Sequence, residues 1–71
     1  MTKEENILLS NKIRAIIREA RKKGYLFKFF FSRINYNSVE INNFMNHNRK
    51  MTDSNLLTLK EFIEKTFQMQ L

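Results

Sequence analysis

The chain has 71 residues, one glycine, no proline, no cysteine and a formal net charge of +6. With no cysteine and a single histidine, His47, it has neither a disulfide framework nor the ligands of a zinc site, so no metal and no cofactor are expected. No apolar run reaches the ~20 residues that a transmembrane helix needs, and the polar, acidic first residues do not form a signal peptide. We therefore expect a cytoplasmic protein with no membrane partner.

The scarcity of glycine and proline favours helices joined by short loops. A chain this short buries only roughly 60% of the surface that it exposes when unfolded, so its stability is marginal. Domains of this size are normally reinforced by disulfides, by a metal or by a partner subunit. Because the first two are excluded, we expect a homodimer.

The positive charge lies in the first half of the chain. Residues 1–33 carry nine basic and three acidic side chains, whereas residues 34–71 carry four of each. An excess of this kind is typical of proteins that bind polyanions such as nucleic acids. The alternative is a basic helix that is simply solvated by water.

The first predicted helix runs from about Ser10 to Lys23. Five apolar side chains recur at helical spacing and form one face: Leu9, Ile13, Ile16, Ile17 and Ala20. Four basic side chains lie off that face: Arg14, Arg18, Arg21 and Lys22. Gly24 is the expected residue just past the helix, because a left-handed cap is unhindered where there is no Cβ.

An aromatic run from Tyr25 to Ile34 follows. Taken alone, the run is compatible with a buried strand, but it lacks strict alternation. The apolar spacing favours a short helix with Phe27, Phe30, Phe31 and Ile34 on one side. Asn35 then marks a break, since asparagine is enriched at positive φ.

Two further helices are predicted in the second half. Asn37 or Ser38 can cap the first of them through a side-chain oxygen, and its apolar side is formed by Ile41, Phe44 and Met45. A polar loop leads to a second cap among Thr52, Asp53 and Ser54. The last helix carries its apolar face on Leu56, Leu59, Phe62, Ile63, Thr66 and Phe67.

Two short helices joined by a tight turn form a helix-turn-helix when the second is exposed on its polar side. The segment from Phe27 to Lys50 has this layout, and residues 13–63 resemble the Cro/repressor-type (lambda repressor-like) helix-turn-helix family of phage and bacterial regulators. Residues 30–34 are similar to its Leu-Ala-x-x-Leu pattern. Asn35 takes the turn position that is usually glycine, and residues 37–46 resemble the recognition helix with Ile41 as its buried anchor.

The resemblance implies an all-α fold, a compact bundle of four to five short helices. The bundle would form a single domain over residues 1–71, with the helix-turn-helix core at about residues 27–46. Several positions differ from the family pattern, among them two in and before the second helix. Phe31 stands where the family prefers alanine, and Leu26 replaces the usual serine or threonine cap of the second helix.

Base contacts with DNA are expected from the start and the polar side of the recognition helix, at Ser38, Val39, Glu40, Asn42 and Asn43. Asparagine can hydrogen-bond both N6 and N7 of adenine, and valine can contact the thymine methyl group. The alternatives are solvated polar surface for the asparagines and partial packing for Val39.

Contacts with the sugar-phosphate backbone set the register of a protein on DNA without carrying sequence information. They are expected from seven residues: Lys28, Asn37, Asn46, His47, Asn48, Arg49 and Lys50. The alternative for these residues is an ordinary polar loop or helix start.

Apolar residues offer a second kind of surface. Either one of Phe27 and Phe29 belongs to the core and the other partly covers it, or the two form an exposed aromatic patch that docks another protein, since exposed patches mark interfaces. The far end of the last helix exceeds what the core needs, and Phe67, Met69 and Leu71 are candidates for a dimer interface.

Catalysis is not expected. There is no catalytic cysteine and no glycine-rich phosphate loop, and nothing places serine, histidine and an acid as a triad. The first hypothesis is therefore a phage or bacterial repressor that binds operator DNA as a dimer. The alternative is a small phage protein of the same fold that binds and inhibits a host protein.

Overall fold

The computed structural model describes residues 1–71 and contains four α-helices and no strand. The helices are α1 (Lys3–Lys22), α2 (Phe27–Phe31), α3 (Ser38–Asn46) and α4 (Asp53–Phe67). The predicted all-α bundle of short helices is confirmed. Its overall extents are 32 × 28 × 18 Å.

Helix α1 begins earlier than predicted, at Lys3 instead of about Ser10. Thr2 caps it, since its hydroxyl accepts from the Glu5 N–H at 3.1 Å while the Glu5 carboxylate accepts from the Thr2 N–H at 2.9 Å. This reciprocal capping box satisfies two of the free N–H groups at the helix start. The prediction was wrong because the first two turns bury polar side chains, Asn6 and Ser10, which interrupt the apolar periodicity.

The end of α1 is as predicted. Gly24 has a φ of 100°. The Tyr25 N–H donates to the Ala20 carbonyl and the Gly24 N–H to the Arg21 carbonyl, both at 3.1 Å. This pattern is the Schellman motif, which requires a left-handed residue where glycine is the least strained.

The start of α2 and the segment between α2 and α3 are also as predicted. Leu26 precedes α2 without a side-chain cap, and Asn35 has a φ of 58°. Asn37 then caps α3 through a second capping box with Glu40. Asn35 and Asn37 therefore determine where α2 stops and α3 starts.

All four helices and the loop before α4 contribute to one core of eleven buried residues. These are Ile13, Ile17, Ala20, Phe30, Phe31, Phe44, Met45, Met51, Leu56, Leu59 and Ile63. Ile41, the predicted anchor of α3, is only half-buried, while Phe44 and Met45 are each 1% exposed. The anchoring side of α3 is therefore displaced toward its C-terminal half.

Candidate nucleic-acid interface

The surface that we call the outer face of α3 consists of Ser38, Val39, Asn42 and Asn46. All four side chains are exposed, and Val39 has 66% of its surface in solvent. Phe44 and Met45 bury the opposite side of the helix. The structure thus favours exposure over packing for Val39, and it leaves short side chains free along one side of a nine-residue helix.

Two asparagines of the outer face are paired. The Asn46 side-chain amide donates to the Asn42 Oδ1 at 2.7 Å. This bond joins successive turns and leaves the Asn42 amide as donor and the Asn46 oxygen as acceptor toward solvent. Asn43, a predicted base contact, is half-buried at the edge of this face.

Asn37 and Glu40 are engaged in capping α3. The Glu40 N–H donates to the Asn37 Oδ1 at 2.8 Å, and the Asn37 N–H donates to the Glu40 carboxylate at 3.0 Å. The Glu40 charge is favourable at the positive end of the helix dipole. The side-chain NH₂ group of Asn37 makes no bond within the cap and can donate to an external acceptor such as a phosphate.

Two arginines of α1 bind the last carbonyl groups of α3. Arg14 donates from Nε to the Phe44 carbonyl and Arg18 from Nη2 to the Met45 carbonyl, both at 2.6 Å. The last four carbonyls of a helix have no partner within it, and a cation there also complements the helix dipole. These arginines therefore attach α3, the candidate recognition helix, to α1.

Arg14 was predicted to lie off the apolar face of α1, but it is only 4% exposed. Burial lowers its pKa, and the charge of Arg18 lowers the pKa further. The sequence held one indirect signal, because α3 has no basic residue in its last turn. Its C-terminal carbonyls therefore needed donors from elsewhere in the chain.

The loop after α3 presents the predicted backbone-contacting residues His47, Asn48, Arg49 and Lys50, all exposed. Asn48 adopts a φ of 50°. The Arg49 N–H donates to the Asn43 carbonyl at 3.0 Å, and the Arg49 carbonyl accepts from Arg14 Nη2 at 3.2 Å. Hydrogen bonds at the backbone N–H and carbonyl of Arg49 thus hold the loop in place, while the side chains of the loop face solvent.

Lys28 lies apart from this loop. It is exposed on α2 and lines a groove with Tyr25, Leu26 and Arg33, among others. No residue of α3 or of the following loop lines that groove. A phosphate contact from Lys28 would therefore belong to a second position along a DNA backbone.

Phe27 and Phe29 are half-buried and pack against the core. Phe27 meets the Phe31 ring edge-on at 6.1 Å, and Phe29 lies 5.3 Å from Phe62. The structure thus favours packing against the core over the exposed patch, and both rings, not one alone, partly cover the core. The most exposed apolar side chain of this region is Leu26, at 62%.

The residues predicted for a dimer interface lie where α4 ends. Phe67 is half-buried and packs edge-on against Tyr25 at 5.5 Å. Met69 is 37% exposed and lines a mainly apolar groove with Phe67 and Ile16. Leu71 is half-buried in a neighbouring groove with Leu8 and Leu57.

Comparison of the chain with protein-family models, with curated proteins and with solved structures finds no match. No three His, Cys, Asp or Glu side chains are grouped to hold a metal ion. None of the four helices combines the length and the apolarity that a membrane crossing requires.

Proposed function

We propose that the protein is a sequence-specific DNA-binding regulator that inserts the outer face of α3 into the major groove. The observation that carries the proposal is this exposed polar face, supported from behind by Phe44 and Met45 and followed by a loop that carries Arg49 and Lys50. The major groove admits one α-helix, and the first residues of that helix approach base edges. Short side chains allow such an approach.

The chemistry of the outer face suits A·T base pairs. Asn42 can exchange its bond with Asn46 for donor and acceptor bonds to adenine, and Val39 can contact a thymine methyl group. Each good bidentate pair is worth about 1–3 kcal/mol of discrimination. Ser38, Glu40 and Asn43 complete the proposed base-contacting set.

The cations around α3 supply affinity without sequence preference. Arg49 and Lys50 are exposed beside the end of the helix, where a DNA backbone would pass. Such phosphate contacts fix the register of the helix in the groove. His47, Asn48, Asn37 and Asn46 are proposed to add hydrogen bonds to the same strand, and Lys28 to contact a separate phosphate.

The proposed regulator acts as a homodimer, in keeping with the resemblance of residues 13–63 to phage and bacterial repressors. Two copies of α3 would occupy half-sites about one DNA turn, roughly 34 Å, apart. Occupancy of an operator would then exclude or recruit polymerase sterically.

Selection of bound duplexes from a random library tests this proposal. We expect enrichment of an A·T-containing motif, and we expect Asn42→Ala to remove the preference while weaker, non-specific binding remains. Arg49→Ala should weaken binding to all sequences about equally. A folded protein that enriches no motif would contradict the proposal.

A second candidate function, binding of a host protein, is favoured by the groove beside α2. There Leu26 is 62% exposed and stands near Lys28 and Arg33, without a carboxylate among the lining residues. Apolar surface flanked by cations fits an acidic protein partner. Leu26→Ser should abolish such binding and leave DNA binding intact, so the two candidates are separable.

A further inference from the structure

A polar groove of about 450 Å³ lies between the first half of α1 and the loop that follows α3. Three cations line it, namely Lys3, Arg14 and Lys50, and no carboxylate does. Amide and hydroxyl groups make up most of the remaining lining, which consists of Asn6, Ile7, Ser10, Asn11 and Asn48. Such a composition fits a small anion.

The Arg14 charge at the bottom of this groove has no ion-pair partner. Its hydrogen bonds go to two backbone carbonyls and to the Asn11 Oδ1 at 3.1 Å, all of them uncharged acceptors. None of the ion pairs in the structure includes Arg14. A guanidinium has five N–H donors, so two remain after these three bonds.

A buried charge is costly unless it is paired. The negative end of the α3 dipole offsets part of the Arg14 charge, but that end is also shared with Arg18. Asp53 accepts a hydrogen bond from Asn6 at 2.7 Å and lies near enough to Lys50 for that charge to lower its pKa, so it offsets part of the Lys50 charge, yet it does not line the groove. The groove therefore retains a net positive charge that an external anion can compensate.

We propose that this groove binds a phosphate group. In the DNA complex, on which this part of the inference rests, the ligand is a backbone phosphate beside α3. Lys3 and Lys50 approach it from the two walls, and the free N–H groups of Arg14 face it from below. Lysine and arginine are the side chains that bind phosphate most strongly, through charge-assisted hydrogen bonds.

Asn11→Asp tests the proposal without removing a side chain. The new carboxylate keeps the acceptor for Arg14 and supplies the missing counter-charge, so the melting temperature should stay equal or rise. Phosphate binding should weaken at the same time. Gln70→Glu is the matched control, because it makes the same amide-to-carboxylate change at an exposed position outside the groove.

Lysine removal gives a second test. The binding constant for duplex DNA falls as salt rises, so a plot of its logarithm against log salt has a negative slope. In the double variant Lys3→Ala and Lys50→Ala, the magnitude of this slope should decrease by about one for each phosphate that the protein no longer neutralises. The ratio of specific to non-specific affinity should stay unchanged. Lys12→Ala is the control, because Lys12 lies nine positions from Lys3, half a turn around α1, and lines a different groove.

A titration of the wild-type protein with inorganic phosphate, followed by nuclear magnetic resonance, separates this inference from the proposed function. Saturable chemical-shift changes at Lys3, Arg14 and Asn48 that Asn11→Asp suppresses would support phosphate binding in the groove even if no duplex bound. The ligand would then be a free phosphate. Absence of such shifts, or an equal effect of Asn11→Asp and Gln70→Glu on DNA affinity, would overturn it while leaving base recognition by α3 intact.

Discussion

Arg14 donates from Nε to the Phe44 carbonyl at 2.6 Å and from Nη2 to the Arg49 carbonyl at 3.2 Å. Arg14→Met keeps much of the aliphatic stem but leaves both carbonyls without this donor. A hydrogen bond from a charged group contributes about 1.5–3 kcal/mol, and an unsatisfied buried acceptor costs about 1–3 kcal/mol. We expect urea denaturation to show a loss of about 3 kcal/mol in the free energy of unfolding.

Arg21→Met is the matched control for this change. Arg21 is exposed on the same helix and lies 4.6 Å from the centre of the Phe27 ring, an exposed cation–π contact worth about 0.5–1 kcal/mol. Equal stabilities of the two variants would mean that attaching α3 to α1 does not depend on Arg14.

Asp53 makes stability depend on pH. The hydrogen bond from Asn6, at 2.7 Å, holds the pKa of this carboxyl below its usual value. A carboxyl with a lower pKa in the folded state stabilises the protein above its unfolded pKa of about 4, and this contribution is lost as pH falls through the folded pKa. Asp53→Asn should therefore be less stable than the wild type at neutral pH.

Thermal melts at a series of pH values measure this difference. We expect the difference in melting temperature between the wild type and Asp53→Asn to be constant from neutral pH to about pH 5 and to disappear on further acidification. If the difference in melting temperature is the same at pH 3 and at pH 7, it arises from packing and not from the charge of Asp53.

The start of α2 offers a stabilising substitution. Leu26 occupies the N-cap position with extended backbone and provides no side-chain hydrogen bond. Because its side chain is 62% exposed, little apolar burial is lost in Leu26→Ser, and serine is among the preferred N-caps. We expect a gain of up to about 1 kcal/mol in the free energy of unfolding. Leu26→Ala, which removes the same apolar surface without capping, is the control and should show no gain.

Helix ends were predictable where one residue determines them. Gly24 and Asn35 adopt positive φ as their residue types indicated, and Asn37 caps α3. The start of α1 was missed because the helix buries Asn6, whose amide donates to the Met51 carbonyl at 3.0 Å. That partner lies 45 positions away, and apolar periodicity carries no information about such a distant bond.

In the candidate site, too, features set by local sequence were predictable and features set by distant contacts were not. Exposure of Ser38 and Asn42 followed from the helical spacing of α3 and was predicted, whereas Val39 was left open between exposure and partial packing. The buried role of Arg14 depends on how α1 crosses the end of α3, which local sequence does not specify. Phe29 was left open for a related reason, because its Phe62 partner lies on α4.

Helix α1 carries most of its cations on one side and apolar side chains on another. Lys3, Arg14 and Arg18 share a helical face with Asn11, while Leu8, Lys12 and Ile16 lie toward the grooves beside α4. A protein that binds DNA with the first face can pair with a second copy through the other. The two functions therefore need not compete for surface.

This arrangement predicts a dimer that forms beside Met69. Met69 is 37% exposed in a mainly apolar groove, and a charge placed there would have to be buried on association, which is costly. Sedimentation equilibrium should give twice the 8.7 kDa chain mass for the wild type and the single chain mass for Met69→Asp. The melting temperature of the wild type should also rise with protein concentration, as mass action requires for a dimer.

Leu57→Asp provides the control, since Leu57 is 49% exposed in the neighbouring groove. If the dimer forms beside Met69, Leu57→Asp stays dimeric and still prefers two half-sites about one DNA turn apart, whereas Met69→Asp binds a single half-site. The reverse pattern would move the dimer contact to the groove that Leu71 lines. A wild-type protein that stays monomeric at high concentration would rule out both contacts, and α3 would then have to recognise DNA one half-site at a time.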